Sequence, residues 1–246
     1  MLNVVVTGGG TIAPIDDVRS IANVSSGRFS ASISEACLRL GANVWHIHVP
    51  HAELPLLRQA RVDLDADPFQ EHRRIDRLRG EWLEARFRLQ LRPLRRGTVE
   101  EYSEALQAVL TSEPIDVAFL AMAVSDYEPV PVEGKLDSDA ETMTIRCGRT
   151  PKVIQLVRDW SPSVYLVGFK LLSRVDGDEL RSIAERACRI NRADLTVAND
   201  LQTLKQGRHT VELVRLGQPA ESLGPDPALA DQLVKRVFGW VKARGA

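Results

Sequence analysis

The residues able to do chemistry gather at two turns and on a few scattered side chains. A short β-branched run, Val4 to Thr7, reaches Gly8-Gly9-Gly10-Thr11-Ile12-Ala13. This turn matches the G-x-G-x-x-A dinucleotide pattern, in which glycine amides approach a pyrophosphate and a helix follows at once. Here Pro14 intervenes and helical spacing starts only near Gly27. The second strand ends His48-Val49-Pro50-His51, with no carboxylate for a ribose hydroxyl. A nicotinamide-dependent oxidoreductase is therefore a secondary reading. The connection between Gly8 and Gly27 carries Asp16, Asp17, Arg19, Asn23, Ser25 and Ser26, a set suited to binding phosphate or carboxylate oxygens. Connections of that length inside compact domains are commonly functional, a structural excursion being the alternative. The second turn, Ala123-Val124-Ser125-Asp126-Tyr127, follows the apolar run from Asp116 to Met122. It falls at a strand's carboxyl end, where open α/β sheets bind ligands.

Other chemistries find less support. His46 and His48 alternate on one strand face, but His51, His72 and His209 lack ligand spacing with them. Cys37, Cys147 and Cys188 form no CxxC pair and read as structural thiols, Cys37 and Cys188 on buried helix faces. No GxSxG, HExxH or Walker A sequence occurs. With 32 Lys plus Arg against 33 Asp plus Glu, the net charge of −1 makes no electrostatic case for nucleic acid or an acidic membrane. The N-terminus lacks a basic segment followed by a long apolar one, and no stretch approaches a membrane span, so a cytoplasmic protein acting on small molecules is expected.

The elements that must position these residues follow from periodicity. Phe29, Ile33, Ala36, Cys37 and Leu40 keep helical spacing, with Ser25 or Ser26 as cap and Gly41 as terminator; Asn43 to Val49 is a second strand. This βαβ opening predicts an α/β fold, a Rossmann-like three-layer sandwich with a mostly parallel central sheet, as one domain over 1–246. Residues 53–96 read as surface helix plus a strand near Arg86 to Leu91, and Thr98 to Leu110 as a helix. Glu141 to Cys147 alternates as a half-buried strand does, and Thr150-Pro151 resembles a cap followed by proline at the first helical position. Further strands are expected at Val164 to Phe169, Asp194 to Ala198 and Thr210 to Val214. Helices are expected around Leu180 to Cys188 and Leu229 to Val241.

The run VTGGGTIAPIDDVRSIANVSSG resembles the opening signature of phosphopantothenate–cysteine ligases. AMAVSDY at 121–127, VGFKLL at 167–172 and ADLTVANDL at 193–201 match later family segments in the right order. Three ordered motifs are far more specific than one glycine turn. The resemblance spans most of the chain except roughly 53–97 and the tail. Because the chain begins at the ligase motif, it resembles the stand-alone form without the flavin-dependent decarboxylase, and no flavin is expected.

The resemblance implies an acyl-nucleotide mechanism with Mg²⁺ and a nucleoside triphosphate, CTP being favoured and ATP the alternative. Asn23 would hold the carboxylate and the acyl-nucleotide. Arg19 would support the cysteine step or the anionic intermediate, a surface ion pair with Asp16 or Asp17 being the alternative. Lys135, in Pro131 to Lys135, would belong to a mobile loop that closes on the triphosphate; Leu136, Asp137 and Ser138 stand where fused members carry a second lysine. Gly9, Gly10, Met122, Ala123, Asp126, Lys152, Phe169 and Lys170 complete the nucleotide set, with Asp126 the candidate for Mg²⁺ or else a helix cap. Phe169 would pack on the base or sugar, or serve the core. Ala187 and Asn191 replace helix lysines of fused members, with Arg186 and Arg189 nearby. A homodimer is implied. A noncatalytic nucleotide sensor on the same fold is the alternative outside enzymology.

Overall fold

The computed structural model describes residues 1–130, 132–136, 141–225 and 228–244. Its frame is an eight-stranded sheet. The strands are β1 (Asn3–Gly8), β4 (Asn43–His48), β5 (Leu89–Pro93), β6 (Val117–Leu120), β9 (Tyr165–Leu172), β10 (Leu195–Asp200), β11 (Val211–Val214) and β12 (Glu221–Leu223), in the order β12-β11-β10-β9-β6-β1-β4-β5. From β5 to β10 every pairing is parallel; β11 and β12 add antiparallel at one edge. The chain runs outward from β1 to β4 and β5, then returns to build β6, β9 and β10 on the other side. The β1/β6 boundary is thus the topological switch point, where flanking connections diverge and leave a crevice.

The pleat sorts the core. Val4, Val6, Val44, Phe119, Val167 and Leu195 face α1 (Arg28–Arg39) and α7 (Leu229–Arg244), with α2 (Pro68–Ala85) peripheral on that side. Val5, Trp45, Ile47, Ala118 and Leu166 face α3 (Val99–Ser112) and α4 (Val153–Trp160), while α5 (Gly177–Asn191) covers Ala198 and Val214. Strands buried on both faces explain the continuous apolar runs at Val4 to Val6 and Val164 to Val167. Asp67, Thr98 and Asp176 cap α2, α3 and α5 through their side chains, and Asp200 caps the short α6 (Leu201–Lys205). Cys37 and Cys188 are buried and Cys147 is exposed. Among the described residues no helix is long and apolar enough to cross a membrane.

Several expectations need correction. The 8–27 connection is a hairpin, with β2 (Ile12–Pro14) pairing β3 (Ser20–Ala22). Gly27, not Ser25 or Ser26, takes the N-cap position of α1 at φ 76°, where a Cβ would sit 3.0 Å from Ala52 Cβ; Ser26 Oγ, one residue earlier, accepts from Arg28 N at 3.3 Å. Residues 141–146 form no strand; they are exposed apart from the half-buried Ile145, and only Cys147–Arg149 pairs, as β8 with β7 (Tyr127–Pro129). Alternation without a covering layer does not make a half-buried strand. Thr150 is not a cap either, since α4 starts at Val153 and the Thr150 hydroxyl donates to Ser125 O at 2.5 Å. The strand expected near Arg86 lies at Leu89–Pro93. Pro131, Asp137 and Ser138 lie outside the described residues.

Candidate functional site

At the switch point the chain leaves β6 without regular structure, and side-chain hydroxyls supply the missing ladder. Thr7 Oγ1 accepts from Met122 N at 3.2 Å and Thr11 Oγ1 from Ser125 N at 2.9 Å. Ala123 N donates to Gly9 O at 2.9 Å, and Ala123 O accepts from Thr11 N at 3.0 Å. Asn23 Nδ2 donates to the same Ala123 O at 3.0 Å, so Asn23 and the 121–126 segment are joined directly. The Val124 and Asp126 amides have no acceptor among the described residues.

In front of this segment opens a cleft of about 1240 Å³. Its walls are the start of α1 (Ser25 to Ser30), the 121–126 segment, the start of α4, the end of β9 and one face of α5. A typical small-molecule site encloses roughly 300–1,000 Å³, so this cleft has room for more than one substrate. Among its described lining residues Asp126 is the only carboxylate, against Arg28, Lys152, Lys170 and Arg186. Arg28 pairs with Glu53, and Lys152 with Asp126, whereas Lys170 and Arg186 make no ion pair with a described residue. The first turn of α1 has no acidic residue, and its N-cap Gly27 has no side chain, Ser26 Oγ meeting the Arg28 amide alone at 3.3 Å, which leaves its positive end toward the opening.

Of the residues singled out from sequence, Met122, Ala123, Asp126, Lys152, Phe169 and Lys170 line the cleft, and Asn23 is bonded to its wall. Gly9 and Gly10 do not line it. Gly9 has φ 92° and packs where a Cβ would meet Val49 Cγ2 at 2.4 Å; a Cβ on Gly10 would meet Asn23 O at 2.1 Å. They let β1, Asn23 and β6 close on one another. Arg19 and Lys135 also lie outside the lining. Arg19 pairs with Asp16 at 2.9 Å, the alternative weighed from sequence. Ala187, Asn191 and Arg186 do face the cleft, so Arg186 offers a cation one position from the place of a family lysine.

Sequence reasoning missed the aromatic wall. Phe29 meets Phe169 at 6.2 Å and His209 at 4.7 Å between ring centroids, both edge-on. Burial pushes the His209 imidazole below its ordinary value, which favours the neutral ring. These residues come from α1, β9 and the loop before β11, and no spacing in the sequence links them.

The comparisons with known proteins agree with this arrangement. Residues 1–65 and 88–239 match the model of the DNA/pantothenate metabolism flavoprotein C-terminal domain. The phosphopantothenate–cysteine ligase of Mus musculus is 30% identical over 240 residues, covering 82% of this chain and 73% of the mouse protein. The chain belongs to the phosphopantothenate–cysteine ligase family. The bifunctional coenzyme A biosynthesis protein of Thermococcus kodakarensis is 29% identical over 214 residues, covering 86% of this chain and 44% of its own length. The chain thus spans less than half of that two-function relative. A DNA/pantothenate metabolism flavoprotein from Streptococcus pneumoniae superposes with a TM-score of 0.77 at 26% identity, over 99% of this chain and all of its own. A Cab2 mutant in complex with phosphopantothenate-cysteine, at 20% identity, shares the fold with a TM-score of 0.82 over 98% of this chain and 87% of its own. The family match leaves out 66–87, which is α2 with two residues on either side, and the tail from 240. The departure from the ligase family is therefore narrower than the 53–97 expected from sequence.

Proposed function

We propose that this chain, as one domain over 1–246, joins 4′-phosphopantothenate to cysteine in coenzyme A synthesis, using a nucleoside triphosphate, CTP in preference to ATP. In the first step a carboxylate oxygen attacks the α-phosphorus, the bond to the β-phosphate oxygen breaks, and pyrophosphate leaves. In the second the cysteine amine attacks the acyl carbon, the nucleoside monophosphate departs with the bonding electrons, and the amine gives up a proton. Neither step needs a protein nucleophile. The protein must hold two anions in line and stabilise the charge that develops.

The observation that carries this reading is the cleft's cationic lining beside Asn23. Asn23 retains one amide hydrogen and its carbonyl oxygen after binding Ala123 O, enough to orient a carboxylate and then the acyl-nucleotide. Lys152, Lys170 and Arg186 suit the phosphates, and the Val124 and Asp126 amides face no competing acceptor. Phe169 has one side committed to Phe29, so a base or sugar would meet its remaining surface. No cluster of three His, Cys, Asp or Glu able to hold a metal occurs among the described residues. That fits Mg²⁺ arriving on the nucleotide phosphates, with Asp126 as a single protein ligand. Bound there, the ion would neutralise phosphate charge.

Arg19 and Lys135 sit on the two protruding hairpins, outside the cleft, beside exposed Val18, Ile21, Tyr127 and Val130. We read these hairpins as the contact of a homodimer, which would bring Arg19 and Lys135 toward a neighbouring copy's cleft.

Pyrophosphate release by purified protein with 4′-phosphopantothenate, cysteine and Mg²⁺ tests the function, with CTP and ATP supplied separately. Release should require both phosphopantothenate and a nucleotide, and Asn23→Ala should lower turnover by about 10²–10³, as loss of one charge-stabilising donor does. A folded sample with no release from either nucleotide would sink the enzyme reading and favour the noncatalytic sensor.

A further inference from the structure

Asp16 lies at the tip of the β2–β3 hairpin with its side chain wholly withdrawn from solvent. Its two oxygens serve different segments. Oδ1 accepts from Val18 N at 2.9 Å and Arg19 N at 2.7 Å, which closes the hairpin's own turn. Oδ2 accepts from Arg19 Nη1 at 2.9 Å and from Leu136 N at 3.0 Å, a residue 120 positions away. Around this centre Arg19 Nη1 donates to Leu136 O at 3.2 Å, Asp17 N to Gly134 O at 3.1 Å, and Val132 N to Ile15 O at 3.1 Å. Burial raises the Asp16 carboxyl, yet the three amide donors and the Arg19 charge hold it below its ordinary value, so the site is built for the carboxylate. A hairpin turn needs only Oδ1. The Oδ2 contacts are surplus to it and all reach the Arg19 side chain and the segment that carries Lys135. Lys135 itself is exposed and makes no ion pair with a described residue.

We propose that Asp16 is a positioning residue that fixes the Arg19 guanidinium and the Lys135 segment as one unit, so that the two cations are presented to the nucleotide phosphates together. The proposal rests on the ligase reading, in which Lys135 closes on the triphosphate and Arg19 supports the cysteine step or the anionic acyl-nucleotide. In this structure the lysine segment is docked on the hairpin, where Asp16 is the side-chain anchor beside two backbone bonds, Asp17 N to Gly134 O and Val132 N to Ile15 O.

Asp16→Asn removes the anchor, because an amide must turn its NH₂ group toward one pair of donors whichever way it lies. Leu136→Pro removes the Leu136 amide hydrogen while leaving Asp16 and Arg19 in place, and covers the case in which Asp16→Asn folds poorly. Asp65→Asn, exposed and outside the hairpin, is the control. In both anchor variants glutamyl endopeptidase should cut the intact chain after the exposed Glu133 at least tenfold faster, with the global melting temperature little changed. MgCTP or MgATP, titrated by calorimetry, should bind at least tenfold more weakly, and the control should match the parent. Parental cleavage rates in both variants would overturn the docking. Faster cleavage with unchanged nucleotide affinity would leave Asp16 a purely structural anchor and overturn the positioning role. A parent chain that binds neither nucleotide would remove the ligase reading and the positioning role together, while the cleavage rates would still report the docking separately.

Discussion

At the scale of single residues, some polar groups at the cleft have several hydrogen-bonding capacities and use only part of them in the fold. Asn23 ties the hairpin to Ala123 and keeps a donor and an acceptor uncommitted among the described residues, so the role in chemistry proposed for it would depend on a bond that only the folded chain makes. His46 shows the opposite case, a titratable group with no visible task. Its Nδ1 shares a hydrogen bond with Ser34 Oγ at 2.8 Å, while Nε2 is buried without a partner. Burial, helped by His48, pushes its pKa down from 6.5 to about 3. Between those values the unfolded chain binds a proton that the native chain refuses. The stabilisation is therefore complete above pH 6.5 and is lost as the pH falls toward 3, at roughly 1.4 kcal/mol per pH unit for one proton. Urea unfolding at steps from pH 7 to pH 5 should show this slope, and His46→Gln should flatten it. An unchanged slope in the variant would assign the acid sensitivity to other groups.

At the scale of elements, the glycine turn after β1 is a packing device. Gly9 at φ 92° and Gly41 at φ 82° both occupy left-handed backbone, but a Cβ on Gly41 would meet nothing within 4 Å. Gly41→Ala should therefore cost only the backbone term, about 1–2 kcal/mol. Gly9→Ala adds the clash with Val49, about 1–3 kcal/mol more. In a chain of this size each kcal/mol lowers the melting temperature by roughly 2–4 °C, so Gly9→Ala should melt several degrees below Gly41→Ala. Equal melting points would mean that the β4 end yields freely. The same comparison explains why the dinucleotide pattern misleads here. Its glycines serve β1–β6 closure, and β2 rather than a helix follows them.

At the scale of the whole molecule, the proposed homodimer concerns groups that lie outside the cleft. Exposed Val18, Ile21, Val24 and Val130 cluster on and beside hairpins that also carry Arg19 and Lys135. A homodimer through these arms would cover the apolar groups and bring those cations to a neighbouring cleft. Light scattering should give twice the chain mass, and Ile21→Glu should shift it toward monomer with loss of pyrophosphate release. A monomeric parent with full activity would refute the arrangement. The peripheral α2, absent from the family pattern, stays outside this scheme.

Periodicity and turn chemistry were enough to read the parallel sheet, the helices on both faces and the placement of Met122 to Asp126 at a strand's carboxyl end, because those features depend on residues close in sequence. Family resemblance placed Lys152, Phe169 and Lys170, which the fold gathers in one cleft. Tertiary structure alone decided what lies between distant segments. Phe29, Phe169 and His209 form a wall, Thr11 and Thr150 hold the 121–126 segment, and Asp16 docks a lysine segment 120 residues away. Hydrogen bonds and ring contacts of this kind satisfy groups left over after secondary structure forms, and which groups those are is set by how the layers pack, not by any local pattern.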